Sequence, residues 1–422
     1  MWILVALLLT QFAISTLLSE LNLAHLRRKA NDPPPEWAER LDISQFPKMV
    51  AYTRARTRLG HGARLTDLGL TLAILLSGFL AGLARWSASL PVAPVWQGLV
   101  MLGILGGMSY VASVPWDLAS SFGVERKFGF STIAVKTWST DQIKSLLISL
   151  VLGVVLGGGL LWMIGGLGRW WWLPAWGAFS LFQLLMTFIA PVLILPLFNK
   201  FEPLEDEQLR KEIEGLAAEA DFPLEGVYQI DASLRSTHSN AYFTGLGKTR
   251  RIALFDTLLE QLSHRQILAV LAHEIGHWKK RHVVYRTGAG ILLSGAGMVL
   301  VALLLDVPWL YQTIGLTGLY AESGTVGAVA AVGLYLVSVL LSPLGLLLSP
   351  LSNWVSRRHE YAADRYALDL YGNPEALADG LIELTEKNLS NLFPHPLVVI
   401  FRYSHPPLTE RVASIEAQVA EA

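Results

Sequence analysis

One short segment of the chain has the residue types and spacing of a metal site. The pentapeptide His-Glu-Ile-Gly-His at 273–277 lies in a run with helical periodicity. Residues four apart lie on one face of a helix, so His273 and His277 can both reach one ion, with Glu274 beside it. This pattern is typical of a zinc site at which the glutamate acts as general base on a water molecule. It predicts hydrolytic chemistry. The alternative interpretation is a helix whose histidines simply lie on the surface.

A third protein ligand must come from another part of the chain, because such sites take three and leave a position for water. His264 and His282 fall on other faces of the same helix, so we expect neither to be a ligand. Glu360 is the candidate we prefer, with His359 as its rival. Asp364, one helical turn beyond Glu360, can accept the second N–H of a liganding imidazole.

The composition excludes several classes of protein. Cysteine is absent, which excludes disulfides, thiolate metal ligands and a cysteine nucleophile. Of the 422 residues, 52% are hydrophobic and 16% are charged, and the mean hydropathy is +0.43, which excludes an all-soluble protein. The 33 Lys and Arg balance 34 Asp and Glu, so nucleic acid is not an expected partner.

Long apolar runs predict a mainly α, polytopic membrane protein that lies in the lipid bilayer. Seven runs are long enough to span it, at 2–19, 67–84, 96–114, 145–165, 172–198, 284–305 and 326–348. Of the two sets of connections, one has only Arg85 and Arg169 as basic residues, whereas the other is rich in Lys and Arg. The positive-inside rule therefore predicts that the polar stretches at 199–283 and 349–422 are cytoplasmic.

Two glycine pairs in the predicted spans have the spacing of helix-packing motifs. Gly103 and Gly107 lie in the third span, and Gly153 and Gly157 lie in the fourth. Because small residues allow helix backbones to approach closely in lipid, we expect these glycines to pack against neighbouring helices.

The spans and polar stretches predict four consecutive regions. Residues 1–198 contain helices one to five, 199–283 the first part of a metallopeptidase domain, 284–348 helices six and seven, and 349–422 the second part. β-like runs at 227–230 and 251–255 predict a small sheet in the first part. Neither polar stretch looks self-sufficient, so we expect them to pack together as one split domain.

Basic residues flank both metal-site segments and place them near the lipid headgroups. Lys279, Lys280 and Arg281 follow the first segment, and Arg357 and Arg358 precede the second. This position disfavours an intramembrane protease of the site-2 type, with its metal inside the bilayer. A transporter or scaffold with a vestigial metal site is the non-enzymatic alternative, but the spans are poor in charged residues suited to ion coupling.

Six ordered motifs resemble the type I CAAX prenyl protease family of integral-membrane zinc metallopeptidases. The motifs are LPLFNKF at 195–201, STHSNAYF at 236–243, IALFDTLL at 252–259, HEIGHW at 273–278, EYAAD at 360–364 and SHPPL at 404–408. The similarity runs over nearly the whole chain. It implies a seven-transmembrane-helix α-barrel around a water-filled chamber, closed by a split zincin-like domain.

The resemblance also implies roles for particular residues. His273, His277 and Glu360 would bind one zinc ion, and Glu274 would activate water. His405 would stabilise the oxyanion, and Arg411 would pair with a carboxylate, although a helix-surface position is the alternative for Arg411. Asn240, Ala241 and Tyr242 would belong to an edge strand that binds the substrate peptide, whereas spacing alone favours a turn at Asn240.

The expected substrates are peptides or proteins that are membrane-bound or prenylated, and membrane protein quality control is a further expected role. The chain ends without a dibasic retrieval signal. We therefore expect the cell inner membrane of a prokaryotic host, or the endoplasmic reticulum membrane if the host is eukaryotic. The sequence predicts neither the oligomeric state nor the cleavage-site preference.

Overall fold

Helices make up most of the chain in a computed structural model that describes residues 1–244 and 250–421. The α-helices are α1 (Trp2–Asn31), α2 (Pro35–Ala38), α3 (Phe46–Leu76), α4 (Phe79–Ala88), α5 (Pro94–Leu118), α6 (Arg126–Phe128), α7 (Val135–Leu152), α8 (Gly158–Gly166), α9 (Trp172–Ile189), α10 (Glu207–Glu219), α11 (Asp256–Gln261), α12 (His264–Lys279), α13 (His282–Leu305), α14 (Pro308–Gln312), α15 (Thr317–Ser323), α16 (Ala328–Tyr371), α17 (Pro374–Lys387), α18 (Pro396–Arg402) and α19 (Leu408–Glu421). The strands are β1 (Phe201–Pro203), β2 (Leu224–Ile230), β3 (Ala241–Thr244) and β4 (Arg250–Phe255). π-Helical turns at Ala119–Glu125, Gly153–Gly157 and Ala190–Ile194 continue α5, α7 and α9.

The membrane region agrees with seven predicted spans. Within the described ranges, six helices are long and apolar enough to cross a membrane. The bent pair α3–α4 brings the number to seven when it is counted as one span. The prediction of a polytopic, mainly helical protein is therefore confirmed.

The second span differs from its predicted form. We expected one uninterrupted helix over 67–84, but α3 ends at Leu76 and α4 begins at Phe79, with a bend of 63° between them. Gly78 takes a left-handed φ of +79°, which a glycine adopts without steric cost. Mean hydropathy cannot reveal such a break, because the residues on both sides of it are equally apolar.

The expected packing role of the paired glycines is mostly wrong. A Cβ added to Gly103, Gly107 or Gly153 would meet no described atom within 4 Å, and one on Gly157 would only touch Leu99. The spacing of two glycines predicts that they share a helix face, but it does not show whether that face meets another helix. Elsewhere, an added Cβ on Gly98 would lie 2.8 Å from the Gly327 carbonyl oxygen, so close packing does occur there.

A small mixed sheet lies in the first polar stretch. Its strand order is β1-β2-β4-β3, in which β2 and β4 are parallel and the outer strands are antiparallel to their neighbours. The β-like runs at 227–230 and 251–255 correspond to β2 and β4, whereas the short strand β1 was not predicted. β3 lies at the edge of the sheet, so one row of its backbone groups has no strand partner among the described residues.

Both polar stretches contribute to one hydrophobic core. Ile213, Ile252 and Leu271 from the first stretch pack in the same cluster as Leu377 and Ile415 from the second. The membrane helices have a separate cluster, which includes Leu4 of α1, Met101 of α5 and Leu336 of α16. The polar stretches therefore fold around a shared core although two spans separate them in the chain.

Helix α16 connects the membrane region to this shared core. It runs unbroken for 44 residues and includes Pro343 and Pro350. At a rise of 1.5 Å per residue it extends about 66 Å, which is roughly twice the hydrocarbon thickness of a bilayer. The last predicted span and the segment with Glu360 thus belong to one rigid element.

The close packing of α16 against its neighbours gives a stability prediction with an internal control. A Cβ on Gly333 would overlap the Tyr311 hydroxyl group and the Leu305 side chain, whereas one on Gly345 would meet no described atom within 4 Å. We expect Gly333→Ala to destabilise the protein by about 1–3 kcal/mol through overpacking. Gly345→Ala, in the same helix, should leave the thermal midpoint unchanged or raise it. Thermal unfolding of both variants in detergent tests this, and equal midpoints would contradict the packing described.

Candidate metal centre

The helix that carries the two histidines ends before the membrane span that follows it. Ser263 and Gln266 form a capping box at the start of α12, which satisfies backbone N–H groups of its first turn. After α12 ends at Lys279, Arg281 has a left-handed φ of 57°, and His282 begins α13. The turn separates the metal-site helix from the sixth span, as the flanking basic residues led us to expect.

A close crossing of α12 and α16 brings the two metal-site segments together. A Cβ on Gly276 would lie 3.0 Å from the carbonyl oxygen of Ala363 and 3.1 Å from its Cα. The glycine between the two histidines therefore allows the backbones to touch at this point. Ala363 is three residues after Glu360, so the contact places that carboxylate opposite the imidazoles.

Three side chains turn their donor atoms towards one point. His273 Nε2 lies 3.1 Å from His277 Nε2. The Glu360 carboxylate lies 3.5 Å from His273 Nε2 through Oε2 and 3.3 Å from His277 Nε2 through Oε1. These donor atoms all lie within 4.8 Å of one another, as in a site for a single ion. His359, the rival ligand, is not part of this group.

The donor set fits a divalent transition-metal ion. Two imidazole nitrogens and a carboxylate oxygen are ligands that zinc takes in hydrolytic enzymes. Glu360 is 4% exposed, and its Oε2 has no hydrogen-bond partner among the described residues. Burying such an oxygen without a partner is costly, and a bound cation would remove that cost.

A buried ion pair supports His273 from behind. The Asp364 carboxylate lies 2.7 Å from His273 Nδ1 and also accepts hydrogen bonds from Arg411 Nε and Nη2. Burial lowers the pKa of His273, but the Asp364 and Glu360 carboxylates outweigh burial and raise this pKa to about 9. With Nδ1–H directed at Asp364, Nε2 is the atom that faces His277 and Glu360.

His277 has a support that sequence reasoning missed. His277 Nδ1 lies 2.9 Å from Nδ1 of His282, and the His282 ring stacks on His359 with 4.0 Å between centroids. If His277 Nε2 provides a lone pair to an ion, His277 Nδ1–H must donate to His282. We excluded His282 as a ligand on helical geometry, but the turn at Arg281 redirects the chain and brings its ring back. A single helical wheel cannot reveal that contact.

Glu274 and His405 line a cavity beside the three donors. The cavity has a volume of about 240 Å³, and Asn240 and Ala241 also contribute to its wall. His405 Nε2 lies 3.4 Å from Glu360 Oε1, and the His405 side chain is 65% exposed. Glu274, His405 and the start of the edge strand therefore line one space.

The edge-strand segment begins one residue later than expected. Asn240 precedes β3, its Oδ1 accepts a hydrogen bond from the Ala241 N–H, and its carbonyl oxygen accepts one from the Phe255 N–H. Asn240 is exposed, and Ala241 pairs with Leu254. Tyr242 packs against Phe255, 6.2 Å between ring centroids, and is not part of the cavity wall.

Comparison with known families decides which enzymes the chain is related to. Residues 203–419 match the model of peptidase family M48, and residues 22–200 match that of the CAAX prenyl protease N-terminal region with five membrane helices. The chain belongs to the M48 peptidase family. It is therefore a membrane zinc metalloprotease, and the transporter and site-2 alternatives are not favoured.

Full-length relatives and a solved structure extend this similarity. CAAX prenyl protease 1 of Saccharomyces cerevisiae is 36% identical over 406 residues, covering 91% of this chain and 88% of the yeast protein. The human CAAX prenyl protease 1 homolog is 31% identical, with the same coverage, 91% and 88%. The uncharacterized metalloprotease YhfN of Bacillus subtilis is 32% identical, and the similarity covers 83% of this chain and 81% of the Bacillus protein.

The crystal structure of S. mikatae Ste24p superposes with a TM-score of 0.89. The two chains are 34% identical, and 98% of each is covered. This M48 peptidase therefore has the membrane helical chamber fold that the resemblance implied.

The contact between Asp364 and His273 generates a prediction about metal affinity. Asp364→Asn removes the charge that orients the imidazole and leaves the Arg411 guanidinium, 8% exposed, without its carboxylate. Loss of such a supporting partner typically weakens metal binding 10–100-fold, and we expect zinc affinity to fall by this factor. Competition with a chelating dye measures it. Asp369→Asn, at an exposed position of the same helix, is the control and should bind zinc normally. Equal affinities for both variants would exclude the supporting role.

Proposed function

We propose that this M48 enzyme cleaves peptide bonds of membrane-associated or lipid-modified proteins at the cytoplasmic surface of its membrane. The observation that carries the proposal is the group of His273, His277 and Glu360 next to a cavity that Glu274 lines, beside a sheet edge that no described strand covers. The relatives named as CAAX prenyl proteases support prenylated proteins as the substrate class. The split metallopeptidase domain comprises 199–283 and 349–422, and each chain binds one zinc ion.

His273, His277 and Glu360 are the zinc ligands in this proposal. A zinc ion held there would polarise the scissile carbonyl group and lower the pKa of water. Glu274 takes a proton from the attacking water and later donates it to the leaving amine. His405 supplies an N–H donor towards the negative charge that develops on the carbonyl oxygen. Asp364 and Arg411 keep His273 oriented.

The substrate binds as an added strand along β3. The free edge of β3 begins at Ala241, at the cavity wall, and Asn240 presents its exposed side chain beside it. Main-chain hydrogen bonds to this edge provide affinity without regard to sequence, and pockets for alternate side chains provide selectivity. An extended peptide on β3 would enter the cavity that Glu274 also lines.

One wall of the cavity selects an aliphatic side chain. Its apolar residues come from three helices, and they are Leu258, Val270, Leu377, Leu381 and Leu384. With a volume of about 240 Å³ next to Glu274, the cavity takes a side chain adjacent to the scissile bond. Burial of a leucine-sized side chain there contributes about 1.5–3 kcal/mol, and a charged side chain would be left without a partner.

Two substitutions separate the catalytic base from the zinc ligands. Glu274→Gln should abolish hydrolysis, a loss of at least about 1000-fold, while zinc remains bound, because Glu274 is not a ligand in the proposal. His277→Ala should lose the zinc itself. Elemental analysis of each purified variant and cleavage of a fluorogenic prenylated peptide are the two measurements.

The outcomes of these two measurements are distinct. Zinc loss from Glu274→Gln would show that its role is misassigned, and a fully zinc-loaded His277→Ala would remove this histidine from the ligand set. Wild-type cleavage that persists after removal of zinc with a chelator would overturn the proposed function as a whole.

The apolar wall predicts a size-dependent substrate preference. Leu381→Phe fills part of the cavity, so kcat/KM should fall about tenfold for peptides with leucine after the scissile bond and little for those with alanine. Ile382→Phe, the next residue of α17, borders a different cleft and should change neither value. If both variants reduce kcat/KM equally for the leucine and alanine peptides, the cavity does not select the side chain.

A further inference from the structure

His238 joins the substrate edge strand to two other parts of the molecule. It lies two residues before Asn240, and among the described residues its ring contacts Phe130, Asn388 and Glu125 and none of the metal-site donors. The His238 ring stacks on Phe130, with 4.4 Å between centroids and an interplanar angle of 17°. Its Nδ1 lies 2.6 Å from Oδ1 of Asn388. The His238 side chain is partly exposed, so water could satisfy its nitrogens. Its polar contacts are therefore not a mere requirement of burial.

The bond to Asn388 joins the segment before β3 to the end of α17. Asn388 is the residue at which α17 ends, and its Nδ2 donates to the Leu384 carbonyl oxygen at 2.7 Å. With Nδ2 engaged in this way, Asn388 Oδ1 accepts the hydrogen bond from His238 Nδ1. Helix α17 carries Leu377, Leu381 and Leu384 of the apolar wall, whereas His238 leads to Asn240 and Ala241, which also line the cavity. This hydrogen bond therefore links two segments that both contribute to the cavity wall.

The other ring nitrogen faces the end of the third membrane span. His238 Nε2 lies 3.6 Å from Glu125 Oε2. The hydroxyl group of Tyr52, a residue that is only 3% exposed, donates to the same carboxylate. The Tyr52 oxygen lies 3.0 Å from Glu125 Oε1 and 2.9 Å from Oε2. The Thr237 N–H also donates to the Phe130 carbonyl oxygen at 3.0 Å. The segment before β3 is thus anchored to α3 and to the chain that follows α5.

Separate contacts hold the backbone of the same segment. The Thr257 hydroxyl group donates to the His238 carbonyl oxygen at 3.0 Å, and Gln261 Nε2 donates to the Thr237 carbonyl oxygen at 2.9 Å. Because these bonds do not involve the imidazole, a substitution of His238 leaves β3 in place. The imidazole contact with Asn388 instead holds the end of α17 against this segment.

We propose that His238 is a positioning residue that sets the separation between β3 and α17. The space between the edge of β3 and the leucines of α17 is the substrate groove, and His238 thereby sets its width. The inference rests on the proposed function, because the groove is assigned there to the substrate peptide. His238 touches no reacting atom. Its loss should therefore weaken peptide binding and side-chain discrimination and leave the chemical step intact.

His238→Phe tests the proposal because phenylalanine keeps the stack on Phe130 and removes both polar contacts. We expect KM for leucine-containing peptides to rise about tenfold, with kcat within twofold of wild type and zinc content unchanged. The preference for leucine over alanine after the scissile bond should shrink by a similar factor. His238→Asn, whose Nδ2 takes the place of the imidazole Nδ1 and can donate to Asn388, should recover most of the wild-type KM.

A second variant and a binding measurement make the test independent of turnover. Asn388→Ala should also weaken binding, and the double variant should be no worse than His238→Phe, because both substitutions remove the same bond between the two residues. Affinity of uncleaved peptide for the Glu274→Gln form provides the same comparison without catalysis. His264→Phe, on α12 and 38% exposed, is the control and should bind peptide normally.

Each result supports or overturns the positioning role. Wild-type KM and peptide affinity in His238→Phe, additive losses in the double variant, or a fall in kcat with KM unchanged would each overturn it. The proposed function fails separately, when wild-type protein shows no zinc-dependent cleavage. In that case the peptide affinities still decide whether His238 sets the groove width.

Discussion

The contact between Gly276 and Ala363 is the constraint on which the site depends. It lets α12 and α16 touch at the backbone, so that a carboxylate from one helix meets two imidazoles from the other. A larger residue at Gly276 would separate the helices by about the thickness of a methyl group. Donor atoms that must lie within a few tenths of an ångström of ideal positions do not tolerate such a change. The spacing of the two histidines alone would not make the site.

The same contact couples the site to the membrane. Helix α16 is continuous from the apolar cluster around Leu336 to Glu360 and Asp364, so the carboxylates are fixed relative to the last span. Arg411 of α19 binds Asp364 from the far side, which joins the end of the chain to the same point. The two halves of the polar core therefore cannot shift without disturbing the three donors. The Glu360 and Asp364 carboxylates therefore keep a fixed position relative to the last span.

The parts of the site that sequence predicted share a simple periodicity. His273 and His277 are one turn apart, as are Glu360 and Asp364, and positions on a single helix can be placed from spacing alone. His282 was missed as a support because the left-handed Arg281 breaks that periodicity, and the bend at Gly78 was missed for the same kind of reason. Six ordered motifs identified the family and through it the fold. The paired glycines show what spacing cannot predict. Spacing indicates which residues share a helix face, but not which other element packs against that face.

In the proposed function, substrate recognition depends on a different set of contacts from zinc binding, and these are not local in sequence. His238 and Asn388 are 150 positions apart, yet their side chains meet. A strand edge binds any extended peptide, so selectivity requires that the opposite wall be held at a definite distance. A chain with rigid α12 and α16 but a loose groove would hydrolyse peptides with little discrimination. Contacts with Tyr52 and Glu125 fix the β3 segment relative to the membrane region. Helix α16 fixes Glu360 relative to the same region. Chemistry and selectivity are thereby positioned from one membrane scaffold through separate connections.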